Sequence, residues 1–153
     1  MDPDAAGWKD ELVRVAARLE AKTKQTRWTD RTVVLIERDF VVSAYVMRKL
    51  LRWGEAGHRQ MPIRRFDPSA RRPPAPGDAT ETYDIEHSRR EMLSVAELCR
   101  QILHSSVFTF CCGETADLFD GIYLSSDSAE EDVFLVLASD FIAACNDIGM
   151  EII

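Results

Sequence analysis

"SVAELCRQILHSSVFTFC", residues 94–111, contains the change of hydrophobic period that decides the fold. Ser94 and Glu97 form the S-x-x-E pattern of a helix start, and Leu93 and Leu98 occupy the two positions of a hydrophobic staple. On a wheel of about 100° per residue, Val95, Leu98, Cys99 and Ile102 gather on one side, with Leu103 at the margin. Glu97, Arg100, Gln101 and His104 gather on the other. From Val107 the period becomes two. "VFTFC" (107–111), "FDGIYL" (119–124) and "VFLVL" (133–137) are rich in Val, Phe, Tyr and Ile and are separated by "CGETAD" and "SSDSAEED". They predict three antiparallel strands. A capped middle helix followed by a three-stranded antiparallel meander places the chain in the α+β class, with helices on one face of a small sheet.

Toward the N-terminus, Leu12, Val15, Ala16 and Leu19 recur at helical spacing between Trp8 and Lys22, predicting an amphipathic helix with one narrow buried stripe. "RWTD" (27–30) interrupts it, and Thr29 or Asp30 can cap the next helix. There Val33, Ile36, Phe40, Ala44, Met47 and Leu51 continue one stripe for about five turns. Val34, Val41 and Tyr45 broaden the apolar face, so this second helix is expected at the centre of the fold, ending at Gly54 and Gly57. At the other end, Ser139 or Asp140 is expected to cap a last helix through Ile148, with Gly149 as its stop.

Residues 58–81, "HRQMPIRRFDPSARRPPAPGDATE", hold five of the six prolines and five arginines. That many missing N–H donors predict a long loop, with "MPIRRF" at its start as a short edge strand. "TYDIE" (82–86) alternates apolar and polar residues and "HSRRE" (87–91) looks like a turn before Met92 and Leu93, which gives a hairpin. The whole of residues 1–153 reads as a single domain, long enough to bury about two thirds of its unfolded surface.

Composition excludes several function classes. Hydrophobic residues at 46% and charged residues at 29% are those of a globular protein, not a disordered or fibrous one. No apolar run approaches the length that spans a bilayer, and the acidic start "MDPDAAGWKD" is unlike a signal peptide, so a cytoplasmic protein without a membrane partner is expected. Cys99, Cys111, Cys112 and Cys145 match no zinc spacing and read as buried thiols. "SSDSAEED" lacks the spacing of a calcium loop. There is no Gly-rich phosphate loop, no G-x-S-x-G and no H-E-x-x-H, so neither a metal nor a cofactor is expected. Charge is polarised: residues 1–100 hold all 19 Lys and Arg against 16 Asp and Glu, whereas residues 101–153 hold no Lys or Arg and 10 Asp and Glu. Such polarity suits a protein partner or head-to-tail self-association.

Three groups of residues could carry function. Arg100 and His104 stand one helical turn apart on a polar face, where a neutral His104 could take the 2'-hydroxyl proton of RNA and Arg100 could hold the phosphate. "CRQILHSS" resembles the helix of HEPN-type ribonucleases and toxins, whose motif is an arginine, four to six residues, then a histidine. Here three residues intervene, and HEPN domains are helical bundles. The resemblance implies a metal-independent ribonuclease with His104 as base and Arg100 as phosphate clamp. Next, Glu37 and Arg38, with Asp39, interrupt the apolar second helix and could line a cleft beside His104. Finally Arg64, Arg65, Arg71 and Arg72 of the basic loop could bind a polyanion, RNA among them, and "PPAP" could be recognised in extended form. Absence of catalytic motifs, charge polarity and the long loop favour a protein that binds a partner; the ribonuclease is the alternative.

Overall fold

The computed structural model describes residues 3–25, 29–50, 59–66, 88–112, 119–126 and 133–150. Helices α1 (Pro3–Thr23) and α2 (Asp30–Leu50) precede strands β1 (Gln60–Phe66) and β2 (Ser88–Ser94). Helix α3 (Val95–Leu103) continues directly from β2, and β3 (Ser105–Cys112), β4 (Phe119–Ser126), β5 (Val133–Leu137) and α4 (Ala138–Met150) follow. Every strand pairing is antiparallel, in the order β2-β1-β5-β4-β3. The class is α+β, and β3, β4 and β5 are the expected meander. Among the described residues the sheet has five strands, however, because β1 and β2 extend it.

The two extra strands correct the reading of the loop. Gln60–Phe66 is an inner strand, paired with β2 on one side and β5 on the other. Pro62 is tolerated because β5 reaches only Arg64, Arg65 and Phe66, so the proline lies where β1 has one neighbour and a missing donor costs least. "SRRE", read as a turn, is the first half of β2. Its charges are compatible with a strand because they find partners or solvent at the sheet's end. Residues 67–81 and the "TYDIE" segment lie outside the described residues, as do Gly54 and Gly57.

One large core lies between the helices and the inner face of the sheet. Leu12, Val15, Ala16 and Leu19 of α1 are fully buried, as are Ile36, Phe40, Ala44, Met47 and Leu50 of α2 and Val95, Leu98, Cys99 and Ile102 of α3. Phe40 is its hub: the ring stacks on Phe141 at 4.3 Å and meets Phe108 and Phe119 edge-on at 5.7 and 6.2 Å. These are the offset and edge geometries that aromatic rings favour. A smaller cluster of Phe66, Tyr123, Val133 and Leu135 occupies the opposite face of the sheet.

Local chemistry fixes the ends of the elements. Thr29 caps α2, its hydroxyl accepting from the Thr32 N–H at 3.3 Å. Ser94 caps α3 by accepting from the Glu97 N–H at 3.2 Å. The last helix departs from expectation at both ends. It begins at Ala138, so Ser139 and Asp140 lie in its first turn, and it runs past Gly149. A side chain at Gly149 would meet Val13 Cγ2 at 2.8 Å and the Lys9 carbonyl at 3.0 Å, so this glycine serves the close approach of α4 to α1.

Candidate functional site

Helix α2 has two apolar faces. The stripe of Ile36, Phe40, Ala44, Met47 and Leu50 enters the core, whereas Val34, Val41 and Tyr45, about half a turn of the wheel away, are 61%, 40% and 48% exposed. Rather than broadening the apolar face that enters the core, these three form a second, exposed one. With exposed Arg38 and Arg48 they form a seam at positions 34, 38, 41, 45 and 48, alternating steps of four and three over about 21 Å of helix. That is the spacing with which one helix presents itself to another. Single exposed apolar residues are ordinary, but three on one seam are a surface to be explained.

Tyr45 is held in place although half exposed. Trp8 of α1 meets its ring edge-on at 6.0 Å, and the Lys49 ammonium lies 5.3 Å from the Tyr45 ring and 5.6 Å from the Trp8 ring. Beside it an open groove of about 750 Å³ separates the C-terminal half of α2 from α3, lined by Tyr45, Arg48, Lys49, Ser94, Ala96, Glu97 and Arg100. Its charge is mainly positive. Arg100 and Glu97 form a two-point ion pair, one contact being Arg100 Nε to Glu97 Oε2 at 3.0 Å, and Gln101 also donates to Glu97. The Arg100 guanidinium holds the Glu97 carboxyl below its ordinary value. The carboxylate of the capping box thus turns outward to Arg100.

The expected site residues are dispersed. Arg100 lines the groove, but its ion-pair partner is Glu97. His104 is exposed at the C-cap of α3, where its backbone N–H donates to the Arg100 carbonyl, and it does not line the groove. Glu37 and Arg38 are exposed on α2. Asp39 between them and the core is 1% exposed and binds Arg18 of α1 at 3.2 Å and Arg38 at 3.5 Å, so part of the "ERD" cluster is an α1–α2 tie. Arg64 and Arg65 point to opposite faces of β1. Arg65 is paired with Glu91 at 2.8 Å and lies 5.9 Å from the Phe134 ring, while Arg64 is exposed and donates to Ser88 Oγ at 3.3 Å. Arg71 and Arg72 lie outside the described residues.

Cys99 and Cys145 are buried free thiols, and burial pushes both up to about 12, which makes them poor nucleophiles. Cys99 contacts Met47 Sδ at 3.8 Å. Among the described residues no group of His, Cys, Asp and Glu could hold a metal ion, and no helix is long and apolar enough to cross a membrane.

Val34, Val41, Tyr45, Arg48 and Lys49 are the residues that sequence reasoning did not assign to a surface. The signal was present: the apolar positions of α2 cover too wide an arc for a single buried stripe. Comparison of the chain with protein-family models, with curated proteins and with solved structures finds no match.

Proposed function

We infer that this protein acts by binding a partner protein, and that it does so with the outer face of α2 and the α2–α3 groove. The single observation that carries the reading is the exposed seam of Val34, Val41 and Tyr45, with Arg38 and Arg48 interleaved at helical spacing. The occupant that fits is an amphipathic helix with an acidic flank. Its apolar positions would cover the valines, and its carboxylates would meet Arg38, Arg48 and Lys49. A pre-set aromatic ring beside arginine is the composition that dominates binding energy at interfaces. Two copies of the seam laid face to face would bring four arginines together, so charge favours a different, acidic chain over a second copy.

The test uses a fluorescent 18-residue helical peptide with leucines at a and d and glutamates at e and g. It should bind the wild-type protein, weaken at least tenfold with Val41→Asp, and weaken further as salt rises. A lysine-flanked version of the same peptide should bind at least tenfold less well. Equal binding by wild-type and Val41→Asp protein, or equal binding of the two peptides, would overturn the reading. The ribonuclease alternative has its own assay: cleavage of RNA in EDTA to 2',3'-cyclic ends, lost in His104→Ala.

A further inference from the structure

The β1–β2 ribbon sets two arginine pairs face to face: Arg65 lies directly across from Arg89, and Arg64 directly across from Arg90. Like charges in that position are unfavourable in an antiparallel pair. The two pairs lie on opposite faces of the sheet because side chains alternate along a strand. On the inner face the conflict is resolved internally, since Glu91 binds Arg65 and Arg89, each at 2.8 Å. On the outer face no carboxylate of the described residues lies within ion-pair distance of Arg64 or Arg90, although Asp140 lines the same cleft of about 140 Å³ with Pro62 and Leu135. Both arginines are exposed.

Edge strands often carry cations that discourage chance pairing, and this would account for Arg89 and Arg90 on β2, the end strand of the sheet among the described residues. It does not account for Arg64. That residue sits on the inner strand β1, where it donates to Ser88 Oγ and adds a second guanidinium with no carboxylate partner among the described residues. Next along the same face is Met92, 56% exposed, and along the inner face Leu93 follows Glu91. Strand β2 therefore reads Arg89, Arg90, Glu91, Met92, Leu93: a basic half and an apolar half at the end of a sheet.

We propose that β2 receives an extended segment of a partner protein as a sixth strand, with an acidic side chain of that segment answering Arg64 and Arg90 as Glu91 answers Arg65 and Arg89. The complement of β2 is two neighbouring acidic residues, one spacer, then two apolar residues. Acidic side chains lie beside Arg89 and Arg90, and apolar ones beside Met92 and Leu93. Backbone N–H and C=O groups along β2 supply binding, and the arginine pair sets the register. This surface meets the groove between α2 and α3 only at Ser94, the last residue of β2.

The experiment uses a seven-residue peptide of two adjacent glutamates, a threonine and two adjacent valines between terminal threonines, together with the same peptide in reversed order. Titration followed by amide chemical shifts should show one of the two orders binding, with the largest changes on β2. Arg90→Glu should weaken binding at least tenfold and Met92→Asp severalfold. Both residues are exposed, so both variants should fold. N-methylation of alternate amides in the peptide should abolish binding, because it removes the strand hydrogen bonds and leaves the carboxylates in place. No binding of either order at millimolar peptide would overturn the proposal. So would equal affinity for wild-type and Arg90→Glu protein, or N-methylated peptide that binds as well as the parent, which would identify the arginines as a site for loose anions only. Val41→Asp should leave this binding unchanged, so the result is independent of the α2 reading.

Discussion

On α2, Ile36, Phe40 and Met47 on one side and Val34, Val41 and Tyr45 on the other belong to the same residue class at similar spacings. The first three are 0–1% exposed and the second three 40–61%. Burying such a side chain contributes about 1.5–3 kcal/mol. The inner face has contributed that energy to folding; the outer face has not, and the proposed association would draw on it. The arginines of the β1–β2 ribbon repeat the contrast in charge, with one pair bridged by Glu91 and the other without a carboxylate partner among the described residues. In both cases the outward surface keeps an interaction that the inward surface has already satisfied.

The largest effect should come from the inner face. Phe40→Ala removes the ring against which Phe108, Phe119 and Phe141 pack, and leaves a cavity in a core that four helices share with the sheet. Stability should fall by about 3–5 kcal/mol, read from chemical denaturation. A cost near that of an exposed substitution would contradict the division of α2 into two faces. Next is Asp39→Ala, which removes the buried carboxylate tying α2 to α1. Arg18 is left 39% exposed and still paired with Glu11, so it remains partly solvated. The expected loss is about 1–3 kcal/mol, less than for a pair buried at both ends.

Much of this architecture was legible in the residues. The α1 stripe, the buried side of α3, the capping serine and the meander after Ser105 all follow from period and caps, because each is a local property of the chain. The wide apolar arc of α2 signals two faces, but periodicity tells which positions are apolar and not which side meets another element, so which face is buried is not legible. Strand β1 is legible as a strand but not as an inner one, and β2 is obscured by Arg89 and Arg90, which make it resemble a turn; what places both is pairing with each other and of β1 with β5, a contact between distant segments. Arg100 and His104 show another limit: their spacing is a fact of sequence and the wheel sets Glu97 on the same face, but that Glu97 engages Arg100 and that His104 falls at the C-cap belong to the folded helix.

A smaller effect tests the arginine pair bridged by Glu91. The Arg65 guanidinium, hydrogen-bonded to it, holds the Glu91 carboxyl below its ordinary value of 4.5, and Arg89 acts in the same direction. A carboxyl lowered by folding contributes stability that is present above the unfolded value and is lost as pH falls through the folded value. Glu91→Gln should therefore cost up to about 1 kcal/mol at pH 7, the range of partly exposed ion pairs. The wild-type advantage should vanish once the pH is below the folded value, as urea midpoints at the two pH values would reveal. An advantage that persisted in acid would assign Glu91 a packing role instead.

The smallest expected change in stability belongs to the outer face, and its smallness is what makes it informative. Val41→Ser replaces a branched apolar side chain by a small polar one at a helical position that is 40% exposed. Helix propensity differs little between valine and serine, and little core contact is lost, so unfolding free energy should move by no more than about 0.5 kcal/mol. Binding of the acidic helical peptide should nevertheless weaken severalfold, because the lost methyl groups are those that would be buried in the complex. A residue whose replacement is silent in the isolated protein and costly in the complex is one retained for the complex. If Val41→Ser instead destabilised the protein by about 2 kcal/mol, the size of truncating a buried aliphatic side chain, the side chain would belong to the core and the seam would not exist as a surface.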